Sequence, residues 1–271
     1  MVTLRVAIAG AGGRMGQALI EATLREPDLA LAAALDVPQA ETQGRDAGER
    51  IGRKTGVTVD VDVESALGRS DVLIDFTRPE GTLAHAAACA RHGVALVAGT
   101  TGMGASQKAE LAASAKSIAI VFAPNMSVGV NVLVKLVELA TARLGPAYDI
   151  EVVEMHHRHK VDAPSGTALA LGSAAARARD TTLEDAAVYA REGTIGARKP
   201  GAIGFATLRG GDVVGEHTVI FAIDGERVEL THRATSRQTF AGGALRAARF
   251  VAARQAERQP GFYDMADVLG L

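Results

Sequence analysis

The feature that most constrains the fold is a glycine loop near the N-terminus, set between a short apolar run and a helical pattern. Leu4–Ala9 is apolar apart from Arg5 and rich in branched residues, as a strand buried on both faces should be. Gly10-Ala11-Gly12-Gly13-Arg14-Met15-Gly16 follows, and helical periodicity then runs through Arg25. Glycines at such a junction allow a tight turn and a close approach of backbone to a pyrophosphate. The helix start behind them offers free N–H groups and a positive dipole end. Met15 stands where a strict G-x-G-x-x-G would place its third glycine; here Gly10, Gly13 and Gly16 are spaced by three. Taken alone, the loop is also compatible with an ordinary tight turn. Its context is more specific. A second apolar run, Leu29–Leu35, ends at Asp36, twenty residues past Gly16. An acid there can accept hydrogen bonds from an adenosine ribose. The chain is therefore expected to open with a dinucleotide-binding unit.

The alternation continues. Val57–Val61, Val72–Phe76, Ala95–Ala98 and Ile118–Phe122 read as strands, with helical stretches at Glu80–Arg91 and Ala105–Ala115, while Asp36–Gly56 reads as a long loop. Strands alternating with helices imply a parallel, doubly wound sheet. After Pro124 the pattern changes. Val128–Leu144 is a long amphipathic helix closed by Gly145-Pro146, and Ile150–Met155 is a strand. Thr167–Arg179 is helical, and Phe205–Leu208, His217–Ile223 and Arg227–His232 are strands, the last two joined by Asp224-Gly225 as in a hairpin. The helix Gly243–Arg254 is expected to pack back on the first domain. The fold class is thus α/β: an N-terminal Rossmann-type doubly wound parallel sheet with a second α+β domain built on an open mixed sheet. The expected domains are 1–127 plus 239–271 for the dinucleotide and 128–238 for the substrate and for oligomerisation.

At 271 residues and 48% hydrophobic, the chain has enough material for two cores. A net charge of −2 shows no basic excess for nucleic acid and no polybasic run for a membrane. Cys89 is the only cysteine, which excludes an internal disulfide and fits a reducing cytoplasm. The N-terminal apolar run is too short for a signal peptide, and no apolar stretch reaches the roughly 18 residues of a membrane span.

Two further loops follow strands of the first sheet, Asp75–Pro79 and Gly99-Thr100-Thr101-Gly102. Their glycines and hydroxyls suit a nicotinamide ribose at the carboxyl ends of strands, although each singly is compatible with ordinary turn chemistry. The most polar loop is His156-His157-Arg158-His159-Lys160. It is followed by Pro164-Ser165-Gly166-Thr167 and a helix that Ser165 or Thr167 can cap, a second anion-binding helix start. A carboxylate-bearing substrate is the simplest partner. A metal held by His156, His157 and His159 is an alternative, disfavoured by the charges of Arg158 and Lys160. A merely solvated basic loop is another. No metal site is expected. Cys89 reads as a small buried hydrophobe, His85 and His92 as surface or packing residues, and His217 and His232 have no assignable role.

At these residues the chain resembles the 4-hydroxy-tetrahydrodipicolinate reductase family, formerly called dihydrodipicolinate reductases. The resemblance rests on residues 10–16, on Ile74–Pro79, on Gly99–Gly102 and above all on Glu154–Ala168; it extends to Gly215–Thr218 and Phe262–Leu269. It implies an NADH- or NADPH-dependent oxidoreductase of lysine and diaminopimelate biosynthesis. Such an enzyme reduces a cyclic imine dicarboxylate with loss of water and is usually a homotetramer. By motif position His156 and Lys160 resemble the catalytic pair, Lys160 as proton donor, and His157, Gly166 and Thr167 the substrate-carboxylate contacts. Gly10, Ala11, Gly12, Gly13, Arg14, Met15, Asp36, Gly99, Thr100, Thr101, Ala123, Pro124, Asn125, Met126, Arg237 and Phe240 resemble the cofactor contacts. One departure concerns the coenzyme. Members that favour NADPH often carry a basic residue after the ribose acid, whereas Val37 and Pro38 follow Asp36 here. NADH is expected to serve at least as well as NADPH, with Arg14 as the one nearby cation. The rival readings are another two-domain amino-acid dehydrogenase and a non-catalytic nicotinamide sensor; neither requires the 154–168 segment.

Overall fold

The computed structural model describes residues 3–271, so Met1 and Val2, which the first expected domain includes, lie outside the described residues. Two compact units emerge, residues 3–128 with Arg237–Gly270, and Gly129–Ser236.

The first unit is a seven-stranded sheet. In chain order it runs β1 (Leu4–Ala9), α1 (Arg14–Thr23), β2 (Leu29–Leu35), β3 (Val59–Asp60), α2 (Val63–Gly68), β4 (Val72–Asp75), α3 (Pro79–His92), β5 (Ala95–Ala98), α4 (Ala105–Ser114) and β6 (Ala119–Phe122). The strands are parallel, because each βαβ crossover returns the chain to the same edge. Their central positions are fully buried, with one core on each face of the sheet. All the βα loops of interest therefore emerge at one carboxyl edge.

The second unit carries most of α5 (Val128–Leu144), then β7 (Asp149–His156), α6 (Gly166–Arg177), α7 (Leu183–Ala186), β8 (Ala187–Val188), β9 (Ile203–Arg209), β10 (Gly215–Ile223) and β11 (Glu226–Ala234). Its five-stranded sheet is mixed, ordered β11-β10-β7-β9-β8. β10 and β11 form the expected hairpin about Asp224-Gly225. β7 alternates strictly: Ile150, Val152, Glu154 and His156 are buried, while Val153 and Met155 are half-exposed on the other face. The apolar members of the buried face pack with α5 and α6.

The chain then returns to the first unit as α8 (Gln238–Ala256), β12 (Gly261–Tyr263) and α9 (Met265–Leu269). α8 packs against α1, β4, β5 and β6, as the sequence pattern suggested, and β12 adds a parallel edge strand to β6. α2, α7, β8, β12 and α9 were not anticipated, and the strand expected over Val57–Val61 shrinks to Val59–Asp60. Each is too short for periodicity to reveal.

Candidate active site

Two groups of candidate residues form, one in each unit. In the first unit, the glycine loop is shaped by backbone contact. Ala11 N–H donates to Leu35 O at 2.9 Å and Gly13 N–H to Gly10 O at 3.0 Å. A Cβ on Gly16 would lie 2.1 Å from Gly10 O, so only glycine lets α1 start this close to β1. Gly13 is the N-cap of α1, and Arg14 is its first residue, exposed. Gly12 N–H donates to Asp36 Oδ2 at 2.7 Å, and Val37 N–H to Asp36 Oδ1 at 2.8 Å. Asp36 is thus held at the end of β2 as an acceptor beside the loop.

The same surroundings fit a bound dinucleotide. A Cβ on Gly12 would meet Thr42 Oγ1 at 2.6 Å and Asp36 Oδ2 at 2.9 Å. Thr42 is buried, and its hydroxyl has no partner. An unfilled donor beside a carboxylate and a helix start suits a ribose–phosphate unit. The other expected cofactor residues follow neighbouring parallel strands: Gly99, Thr100 and Thr101 after β5, and Ala123–Met126 after β6. Thr100 is buried, its hydroxyl 2.6 Å from that of Thr82. Asn125 Oδ1 accepts Ser127 N–H. Arg237 caps α8 and Phe240 lies in its first turn. Burial and the nearby Arg14 charge push the Arg237 guanidinium below its usual range, so these two cations are neighbours.

His85 is not the surface or packing residue expected. Its Nδ1 lies 2.7 Å from Oδ2 of Asp75, which is fully buried at the end of β4 and also accepts Thr77 N–H at 2.7 Å. The pair fixes the start of the 76–79 loop. His92 pairs with Glu64. Cys89 is fully buried, and burial drives its thiol far above the usual range, as a packing residue requires.

In the second unit, the basic loop leaves β7 beside a buried polar network. Glu154 and His156 share one face of β7 at positions two apart. Glu154, only 1% exposed, accepts from His156 Nδ1 at 2.6 Å, from Ser165 N–H at 3.0 Å and from Arg209 in bidentate fashion at 2.8 and 2.9 Å. Burial alone would raise the Glu154 pKa. The donors from Arg209, His156 and Ser165 outweigh it and hold the carboxyl below its usual range. Burial pushes the His156 pKa down, more than Glu154 can offset, which leaves the ring neutral near pH 7. Its Nε2 sits over Gly215, where a Cβ would lie 3.0 Å away.

Ser165, rather than Thr167, is the N-cap of α6 and accepts Ala168 N–H at 3.2 Å. Its hydroxyl also lies 3.0 Å from His217 Nε2. His217 packs edge-on against His156, and burial lowers its pKa to about 3. The loop itself is pinned from outside: His157 N–H donates to Val213 O at 2.7 Å, Arg158 N–H to Gly211 O at 3.3 Å, and Arg209 Nη2 to Asp162 O at 2.6 Å. Lys160 Nζ pairs with Asp162 Oδ1 at 2.8 Å. The structure therefore brings His156, His157, Lys160, Gly166 and Thr167 to one end of β7, at the start of α6. The sequence reading gave no role to Glu154, Arg209 or His217. Glu154 lay within the specific 154–168 segment, but nothing in the sequence marks Arg209 as its partner. Among the described residues, no group of three or more His, Cys, Asp and Glu is placed to hold a metal ion. None of their helices is long and apolar enough to cross a membrane.

Residues 4–126 match the family described as dihydrodipicolinate reductase, N-terminus, and residues 129–269 its C-terminus. A 4-hydroxy-tetrahydrodipicolinate reductase of Burkholderia mallei is 56% identical over 271 residues, covering 100% of both chains. One of Burkholderia pseudomallei is 57% identical over 268 residues, covering 99% of this chain and 100% of its own. A dipicolinate-bound dihydrodipicolinate reductase from Paenisporosarcina sp. TG-14 superposes with a TM-score of 0.75 at 25% identity, covering 98% of this chain and 99% of that one.

Proposed function

Because the chain belongs to the dihydrodipicolinate reductase family, we infer that it is an NAD(P)H-dependent 4-hydroxy-tetrahydrodipicolinate reductase of lysine and diaminopimelate biosynthesis. The observation that carries the reading is the cation loop 157–160, set against the Ser165-capped start of α6 and anchored by the Glu154–Arg209 pair. A small dicarboxylate is what such a site binds best. Cations and a helix start favour anions, and Thr167 and Gly166 sit in that first turn.

The reaction needs one hydride and one proton and releases one water. When bound, the nicotinamide supplies the hydride. The chain's residues must hold the dianion and deliver the proton. Lys160 is assigned as the proton donor, from Nζ. Its partner Asp162 is 54% exposed, so a substrate carboxylate can exchange for it at little cost. His156 is assigned a different part. It is 8% exposed, neutral and tied at Nδ1 to Glu154, which suits it to orienting the loop and the substrate. His157, Gly166 and Thr167 contact the carboxylates in this reading.

In the first unit, Gly10–Met15, Asp36, Gly99–Thr101, Ala123–Met126, Arg237 and Phe240 hold the dinucleotide. NADH serves at least as well as NADPH, because a 2′-phosphate would sit beside Asp36 and Val37 supplies no cation. The enzyme is a cytoplasmic homotetramer assembled through the half-exposed face of the second sheet, which carries Val153, Met155 and Ile220.

The deciding experiment is a coupled assay. Fresh product of the preceding synthase is supplied, and nicotinamide absorbance is followed with each coenzyme. Substrate-dependent oxidation of NADH at a rate at least matching NADPH is expected. Oxidation of neither coenzyme would overturn the reading.

A further inference from the structure

We propose that Arg50 is the residue through which this chain accepts the 2′-phosphate of NADPH, with Glu41 occupying it when that phosphate is absent. The inference rests on the reading of the glycine loop as a dinucleotide site and goes beyond it by assigning a cation that the Asp36-Val37-Pro38 sequence lacks.

The geometry begins at Gly12. Its N–H is held by the Asp36 carboxylate at 2.7 Å, and its carbonyl accepts from Arg50 Nη1 at 3.1 Å. A carboxylate and a guanidinium therefore flank the two sides of one glycine residue. The segment after Asp36 is brought here by folding back over the loop. Gln17 Nε2 donates to Ala11 O at 2.6 Å and to Ala47 O at 3.4 Å, so α1, the glycine loop and the returning segment are tied together. Thr42, on the same segment, brings its buried and unpartnered hydroxyl to the same glycine. Asp36, the expected ribose acceptor, and Arg50 thus meet the same residue, one at its N–H and the other at its carbonyl.

The second guanidinium nitrogen, Nη2, pairs with Glu41 Oε2 at 2.7 Å. Glu41 is 86% exposed and Arg50 45%, so solvent screens the pair strongly. A phosphate monoester offers nearly two negative charges and three acceptor oxygens, and planar guanidinium groups bind it in preference to an exposed carboxylate. Exchange of Glu41 for phosphate keeps the Gly12 contact through Nη1. Arg14 is the competing cation. It stands at the start of α1 and shares its surroundings with Arg237, where two adjacent positive charges suit the pyrophosphate rather than the ribose.

The test is calorimetric titration of the full chain with NADP⁺ and with NAD⁺, without turnover. Arg50→Gln keeps a polar side chain but removes the charge. It should weaken NADP⁺ binding by about tenfold or more, the size of a hydrogen bond to a charged group, and leave NAD⁺ within about twofold. Glu41→Gln should strengthen NADP⁺ binding, a gain that disturbance of the loop would not produce. Arg14→Gln should weaken both coenzymes alike. An unchanged NADP⁺-to-NAD⁺ ratio in Arg50→Gln, or a ratio that collapses only in Arg14→Gln, overturns the assignment while leaving the dinucleotide site intact. A wild-type chain that binds neither coenzyme overturns the reading of the loop, and this inference with it.

Discussion

Lys160 holds its charge between two demands. At rest its ammonium is paired with the half-exposed Asp162, and during the proposed reaction it must face a dianion and give up a proton. Lys160→Ala is therefore expected to lower kcat by about 10²–10⁴-fold, the usual contribution of a positioned acid. Steady-state kinetics decide the matter: a near-normal kcat with a raised KM would make Lys160 a clamp and move the proton elsewhere. Acid stability follows from His217. Burial holds its pKa at about 3, against a usual value of 6.5. Above pH 6.5 the ring is neutral folded and unfolded, and it adds no pH dependence. As pH falls from 6.5 towards 3, the unfolded chain takes up a proton that the folded chain refuses. Stability should fall by up to about 1.4 kcal/mol per pH unit across that window. His156 and His232 are also lowered by burial and add to the decline. Urea midpoints at pH 7.5 and 5.5 should show a shallower fall in His217→Gln than in the wild type; equal slopes would assign the effect to the other two rings.

The strands carry the site because of register. β7 and β9 run parallel with His156 opposite Arg209, which brings the guanidinium across to Glu154 on the buried face. Arg209 also grips the carbonyl of Asp162, so one side chain joins the end of β9 to both the strand and the loop that leaves it. Arg209→Met would strand a buried carboxylate on His156 and Ser165 alone. A loss of about 3 kcal/mol in urea unfolding is expected, since removing one partner of a buried pair leaves the other uncompensated. A change below about 1 kcal/mol would mean that water replaces the guanidinium. This pairing also shows where sequence reading stops. The glycine loop, Asp36, the helix Val128–Leu144 and the hairpin turn at Asp224-Gly225 were legible because their signals lie within a few residues of chain. Glu154 and Arg209 are 55 residues apart, and Gly12 and Arg50 are 38 apart. Such pairs exist only once sheet register and loop return are set. The short elements α2, β8 and β12 were hidden for another reason: two to six residues cannot display a period.

The first unit is assembled from both ends of the chain. Ala241, Ala244, Leu245, Ala248 and Val251 of α8 and Met265 of α9 share one core with Val6, Ile8, Val72 and Val97. A Cβ on Gly243 would lie 1.7 Å from Met126 O, so the helix passes directly against the end of the first segment. A chain ending at Ser236 is expected to lose NAD⁺ binding by calorimetry and to leave residues 3–128 open to protease, while 129–236 stays resistant. NAD⁺ binding by the truncated chain would show that the first segment is self-sufficient. Leu245→Ala in the full chain should cost about 2–5 kcal/mol, as other buried leucines do.

That discontinuity has a consequence in time. Six strands of the seven-stranded sheet have been synthesised once Val128 is added, yet the helix that covers one side of them is still to be translated. Residues 129–236 must come first, and at the usual speed of synthesis they occupy roughly 5–20 s. Through that interval the nascent sheet stands with apolar surface open to water, a substrate for whatever holds unfinished chains. The unit that sequence order places second is the first that can be finished, and the unit that begins the chain is closed only by residues 237–270.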